Sequence, residues 1–185
     1  MKNKALYMNG KLNLAFKEVE VPEPTADQVL VKVEYCGICG SDVHFYETGC
    51  MGVTPIEGDL ILGHEFAGVV EKVGAEVTDI KPGDRVVLEP GIPCGHCEFC
   101  KSGRYNLCPD VQFISCPPYQ GAMRNYVAHP AHLAYKLPDN VSTLEGALVE
   151  PLCVGMHAAQ LGEVKLGKTV VILGAGCIGL TTLAS

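Results

Sequence analysis

Four cysteines fall within fifteen residues, Cys94, Cys97, Cys100 and Cys108, in the run PCGHCEFCKSGRYNLCP. Short C-x2-C steps let tight turns aim neighbouring thiolates at one point, and four thiolates at tetrahedral corners make a closed zinc site. Such a site leaves no position for a substrate, so it builds structure and performs no chemistry. Two alternatives compete. Disulfides need an oxidising compartment, and the start, MKNKALYMNG, is basic but lacks the apolar core of a secretion signal. An iron–sulfur cluster fits the first three cysteines, but the last gap is seven residues where a ferredoxin run has three. Zinc fits all four, and a cytoplasmic location fits zinc.

The remaining composition bounds the function. A net charge of −7 and a pI near 5.3 argue against a nucleic-acid partner. No stretch approaches the roughly 18 uninterrupted apolar residues of a membrane span. Of ten cysteines, Cys36, Cys50, Cys116, Cys153 and Cys177 read as small buried hydrophobes or incidental thiols.

Residues 12–21, 28–37, 65–74 and 84–90 are β-branched runs, partly alternating apolar and polar, separated by Gly- and Pro-containing turns. Short strands with such regular punctuation predict a small barrel. The cysteine-rich lobe, 90–110, follows with little regular structure, and 122–137 holds one or two further strands. After Pro138, Ser142 or Thr143 caps a short helix with Glu145 in its first turn. Pro151 suits the first position of a second helix running to about Gly162.

Then KTVVILGAGCIGL changes character. Val170 to Leu173 read as a buried parallel strand. Gly174-x-Gly176-x-x-Gly179 follows at once and opens a helix, which is the context a dinucleotide fingerprint requires. The first glycine permits a tight turn, the second a close approach of the pyrophosphate, the third close helix–strand packing. A plain glycine-rich connection is the competing explanation. The acidic residue that would hold the ribose belongs about 20 residues further on, beyond Ser185, so the chain reads as the N-terminal part of a longer protein. The expected domains are 1–150, mainly β with short helices, and 151–185, the incomplete start of a nucleotide-binding α/β domain.

Potential ligands recur in YCGICGSDVH (35–44), LGHEFAG (62–68) and LVEPLCVG (148–155). Cys39 offers a thiolate, His64 an imidazole, Glu65 and Glu150 carboxylates; such a set keeps one coordination position open. Asp42 is of the right type to accept the second ring N–H of His64. From spacing alone, Cys39 and His64 read equally well as packing residues.

GHE-x-x-G, the four-cysteine lobe and GAGCIG together resemble the zinc-dependent medium-chain alcohol dehydrogenases, with a GroES-like catalytic barrel followed by a Rossmann domain. CGICGSDVH, PPYQGA and AYKLPDNVSTLEGALVEPL carry a finer resemblance to the polyol branch, the sorbitol (L-iditol) and xylitol dehydrogenases. The similarity runs from about residue 5 to the end. Animal sorbitol dehydrogenases lack the complete set of lobe cysteines, so the microbial and fungal members are the nearer likeness. The resemblance implies two zinc ions. One is structural. The other is catalytic, on Cys39, His64 and a carboxylate, Glu65 or Glu150, either directly or through water. It implies a proton relay through Ser41 and His44, pocket walls at Tyr46 and Phe113, and NAD, or NADP, bound at Gly174, Gly176, Ile178 and Gly179. The implied reaction is oxidation of a polyol's secondary alcohol to a ketose with hydride transfer to the nicotinamide, in a homo-oligomer, commonly a tetramer. Tyr46 and Phe113 read equally as core aromatics, and His96, His129, His132 and His157 as surface or core histidines. Threonine or butanediol dehydrogenase chemistry and an inactive zinc-binding domain are the other functions compatible with these residues; the 185 residues alone are expected to turn nothing over.

Overall fold

The computed structural model describes residues 2–185. They divide into two compact units, the first running to Ala147 and the second Leu148–Ser185.

The first unit is mainly β. Its strands are β1 (Asn3–Asn9), β2 (Leu14–Val19), β3 (Gln28–Cys36), β4 (Cys50–Met51), β5 (Thr54–Pro55), β6 (Asp59–Ile61), β7 (Phe66–Val73), β8 (Arg85–Leu88), β9 (Gly91–Ile92), β10 (Gln112–Phe113), β11 (Tyr126–Pro130) and β12 (Ala134–Lys136). Its helices are α1 (Gly40–Thr48), α2 (Glu98–Lys101) and α3 (Thr143–Gly146). Five strands form an antiparallel sheet in the order β11-β3-β7-β8-β12, and three more a sheet β2-β1-β6. Residues 123–125 join them: Leu6 N donates to Met123 O, Asn125 N to Lys4 O, and Val33 N to Asn125 O.

The β-branched runs become strands because their apolar side chains meet in one core. Val29, Val31, Phe66, Val70, Val86, Leu88 and Val127 are its centre. β3 and β7 form the longest pairing, with register shifts at Leu30/Val31 and Val33/Tyr35. Gly68 permits it, since a Cβ there would lie 2.0 Å from the Lys32 carbonyl oxygen. A second cluster of Met8, Phe45, Ile56, Leu60 and Leu62 packs under α1. Buried Asn3 is satisfied: it donates to Glu20 O and Tyr126 O and accepts from Tyr126 N. Of the two cap candidates Ser142 takes the position and forms a capping box with Glu145 on α3, which holds the Glu145 carboxyl below its ordinary range.

The second unit contains α4 (Val149–Leu161) and α5 (Cys177–Ala184). The helices pack against each other at Gly155, where a Cβ would lie 2.6 Å from the backbone of Thr181. Two expectations need correction. α4 starts at Val149, which puts Pro151 third rather than first; a first-turn N–H has no intrahelical acceptor, so proline is tolerated there. Val170 to Leu173 carry no strand, and Val171 and Leu173 are exposed. A lone strand forms no ladder, because its N–H and C=O groups need a neighbour.

Candidate metal centres

Two groups of ligand-type side chains converge among the described residues: Cys94, Cys97, Cys100 and Cys108, and Cys39, His64 and Glu65. Within each group the ligand atoms lie within 4.8 Å of one another.

The first group occupies the lobe between β9 and β10, which pair as Gln112–Ile92 and Phe113–Gly91 and form its root. Cys97 caps α2, so its Sγ accepts the Cys100 N–H at 3.4 Å. Cys94 N donates to Cys108 Sγ at the same distance. The Cys97–Cys100 and Cys94–Cys100 sulfur separations are 3.4 and 3.9 Å. A tetrahedron with metal–sulfur bonds of about 2.3 Å has edges of about 3.8 Å, so the four thiols fit a zinc ion. Their proton affinities diverge. Backbone N–H groups of His96 and Cys97 bring the Cys94 thiol down to about 6. Burial, followed by the Cys97 thiol as hydrogen-bond neighbour, pushes Cys100 up to about 12.

The second group is assembled across the barrel. β3 ends at Cys36, a turn follows, and Cys39 stands in extended conformation as the N-cap of α1. His64 and Glu65 precede β7 inside an unbroken buried run, 60–68. Gly37 N donates to Glu65 O at 2.7 Å, which lays the Cys39 turn alongside the His64–Glu65 segment. A thiolate, an imidazole and a carboxylate in one place are the donor types of an open zinc site.

Two neighbours of this group were not legible beforehand. The first is Gly37: a Cβ there would stand 2.1 Å from Glu65 Oε2, so the carboxylate occupies space that only glycine leaves. The second is Cys36. Burial, then the Asp42 and Glu65 carboxylates, pushes its thiol up to about 12. Asp42 needs a correction. It does not bond the His64 ring. Its buried carboxylate accepts from Cys39 N at 2.9 Å, Gly63 N at 3.0 Å and Ser115 Oγ at 3.2 Å. As the third residue of the helix N-terminus it reaches back to the cap, and two backbone amides and the Ser115 hydroxyl are its donors. The His64 ring meets Phe113 instead, in an edge contact with centroids 5.3 Å apart.

The other candidates lie as follows. Ser41 is half-buried and His44 exposed on α1, three residues apart and so on one face. Tyr46 packs against the second core cluster. His129 is buried, with Nε2 2.8 Å from Glu89 O, and His96 is exposed. Glu150 lies in the first turn of α4, in the second unit. In the glycine fingerprint, Gly174 has φ +108°, and a Cβ at Gly179 would lie 2.0 Å from Gly174 O. Gly176 caps α5 with nothing within 4 Å of where a Cβ would point, an open cradle at a helix N-terminus. Ile178 is in the first turn of α5. All ten cysteines are free thiols. No helix among the described residues is long and apolar enough to cross a membrane.

Residues 25–139 match the alcohol dehydrogenase GroES-like domain. An Escherichia coli K12 protein named "Uncharacterized zinc-type alcohol dehydrogenase-like protein YdjJ" is 54% identical over 99% of this chain and 53% of its own length. Human sorbitol dehydrogenase is 48% identical over 98% of this chain and 51% of its own. "Probable D-xylulose reductase A" of Aspergillus fumigatus is 45% identical over 98% and 51%. Among solved structures, ECK1772 of Escherichia coli, an oxidoreductase/dehydrogenase of unknown specificity, superposes with a TM-score of 0.94 at 53% identity, over 99% of this chain and 53% of that one. Galactitol-1-phosphate dehydrogenase of Escherichia coli gives 0.89 at 32%, over 97% and 51%. The chain spans about half the length of these relatives.

Proposed function

We propose a catalytic role from one premise: this chain belongs to the zinc-type medium-chain alcohol dehydrogenase family. It supplies the metal-holding part of an oxidoreductase that oxidises a secondary alcohol of a polyol to a ketose, with NAD or NADP as hydride acceptor. The observation that carries this reading is the convergence of Cys39, His64 and Glu65, whose ligand atoms lie within 4.8 Å of one another. The likeness to a sorbitol dehydrogenase and to a D-xylulose reductase supports the polyol class.

Zinc held at this group supplies Lewis acidity that lowers the pKa of a hydroxyl, and a bound nicotinamide supplies the hydride acceptor. The chain's own residues do the rest. Cys39, His64 and a carboxylate, Glu65 or, on its EPL motif, Glu150, would hold the ion. Ser41 Oγ takes the proton from the substrate hydroxyl. The serine hydroxyl gives up its own proton in turn to His44, exposed on the same helix face, which passes it to water. Tyr46 and Phe113 bound the substrate side. Gly174, Gly176, Ile178 and Gly179 receive the dinucleotide, with the pyrophosphate at the open cradle of Gly176. The lobe cysteines hold a second, structural zinc. We place the whole protein in the cytoplasm, where the ten thiols of this chain stay reduced, as a homo-oligomer, a tetramer on the family resemblance.

Metal analysis of the purified chain tests the site. Two zinc ions per chain are expected, and one in Cys39→Ser. A substrate panel on the whole protein tests the chemistry. Sorbitol or xylitol should be oxidised well ahead of threonine and 2,3-butanediol; the reverse order would assign the chain to another branch of the family.

A further inference from the structure

The segment Phe113–Ser115 lies where the lobe returns to the barrel. Phe113 ends β10, the second strand of the lobe's root, opposite Gly91. Ile114 N donates to Pro90 O and Cys116 N to Phe113 O, which ties the segment tightly to that root. From there it reaches the Cys39–His64–Glu65 group twice. The Phe113 ring meets His64 at 5.3 Å between centroids and 62° between planes. Ser115, buried and in the left-handed region at φ 69°, donates its hydroxyl to Asp42 Oδ1. The same carboxylate accepts from the Cys39 amide and from the Gly63 amide just before His64.

The lobe at the other end of this connection has almost no interior. Between Pro93 and Val111 only Cys108 is buried. An apolar core therefore contributes little to its order, and the ion bound by its thiols contributes most. What orders the lobe bears on its root, and the root ends in Phe113 and leads through Ile114, which is packed in the barrel core, to Ser115.

We propose that the metal-closed lobe sets the geometry of the Cys39–His64–Glu65 site through Phe113 and Ser115, which are positioning residues for the second metal. Phe113 fixes the His64 ring directly. Ser115 acts through Asp42 on the two backbone segments that carry the ligands. The inference rests on both groups being metal sites.

The test is spectroscopic. The full chain is prepared with zinc in the lobe and cobalt(II) at Cys39, His64 and Glu65, and the d–d absorption and cobalt affinity are recorded for the parent, Phe113→Leu, Phe113→Tyr and Ser115→Ala. Phe113→Leu and Ser115→Ala should each shift the bands and weaken cobalt about tenfold, the lower end of what partners of metal ligands contribute. Phe113→Tyr, which keeps the ring edge, should restore the parent spectrum. A Cys97→Ser/Cys100→Ser double variant, with the lobe emptied, should shift the same bands in the same direction; if it fails to fold, the single variants decide. Two metals bound with bands and affinity unchanged in both Phe113→Leu and Ser115→Ala would overturn the coupling alone. A parent taking up only one metal would overturn the two-site reading and the coupling with it.

Discussion

The two cysteine-containing groups obey opposite rules of construction. The lobe draws its four ligands from one stretch of fifteen residues and has no interior of its own. The other group draws Cys39 from the start of a helix and His64 and Glu65 from a buried run that enters the longest strand pairing of the barrel. In the lobe the metal organises the chain; in the barrel the chain organises the metal. A ligand set compact in sequence needs its own ion in order to fold, whereas one dispersed in sequence takes its geometry from the chain around it, the barrel and the neighbouring lobe root, rather than from its own ion.

The sharpest way to break this contrast is to remove one thiol from each group. Cys97→Ser should lose one zinc and open the lobe, with limited proteolysis falling within 93–111. Cys39→Ser should lose the other zinc and leave the melting temperature nearly unchanged, while activity of the whole protein falls roughly a thousandfold, the several kcal/mol that a Lewis acid supplies. Equal melting temperatures for the two variants would refute the division of labour.

Acid sharpens it next. Burial pushes His129 down to about 4 from an ordinary 6.5. The unfolded chain then binds more protons than the folded one between those values, so the barrel loses stability as pH falls from about 6.5 to 4, by about 3 kcal/mol at most. Replacing His129 with Gln should flatten that part of the melting profile and leave zinc retention by the lobe unaltered.

Gly37→Ala probes how closely the barrel shapes its site. The new methyl displaces the Glu65 carboxylate, and metal affinity there should fall about tenfold, close to 1.4 kcal/mol, with the lobe zinc retained; isothermal titration with zinc reads this directly. The smallest effect belongs to the edge of the barrel. Ser142→Ala removes the cap of α3 and should cost about 1 kcal/mol in chemical denaturation, with both metals in place.

How much of this was legible in the sequence follows the same division. The lobe was readable because its ligands are neighbours. β2, β3, β7, β8 and the strands within 122–137 were readable from their apolar runs, and α3 from its cap candidates Ser142 and Thr143, whereas the two- and three-residue strands β4, β5, β6, β9 and β10 are too short to show a pattern. α1 was not. Its cap is a cysteine, and it buries only Asp42 and Phe45, so neither an ordinary cap nor an apolar stripe marked it. Missing the helix led to the wrong partner for Asp42: the residue type suggested the His64 ring, but only the helix start shows that backbone amides claim the carboxylate. β1 escaped notice because its buried positions, Asn3, Ala5 and Met8, begin with a polar residue and do not alternate strictly. Gly37 gave no signal because its glycine character answers to a carboxylate 28 positions away, not to a turn. Val170 to Leu173 had the composition of a strand, but composition supplies no ladder partner.

The unequal thiols of the lobe reach into the laboratory. Backbone amides hold Cys94 below the ordinary thiol range and burial holds Cys100 above it, and a thiol must give up its proton to bind zinc, so loading the lobe must discharge acid into the surrounding medium. The heat recorded by a calorimeter will therefore change with the ionisation enthalpy of the buffer, and the slope of that dependence counts the protons set free.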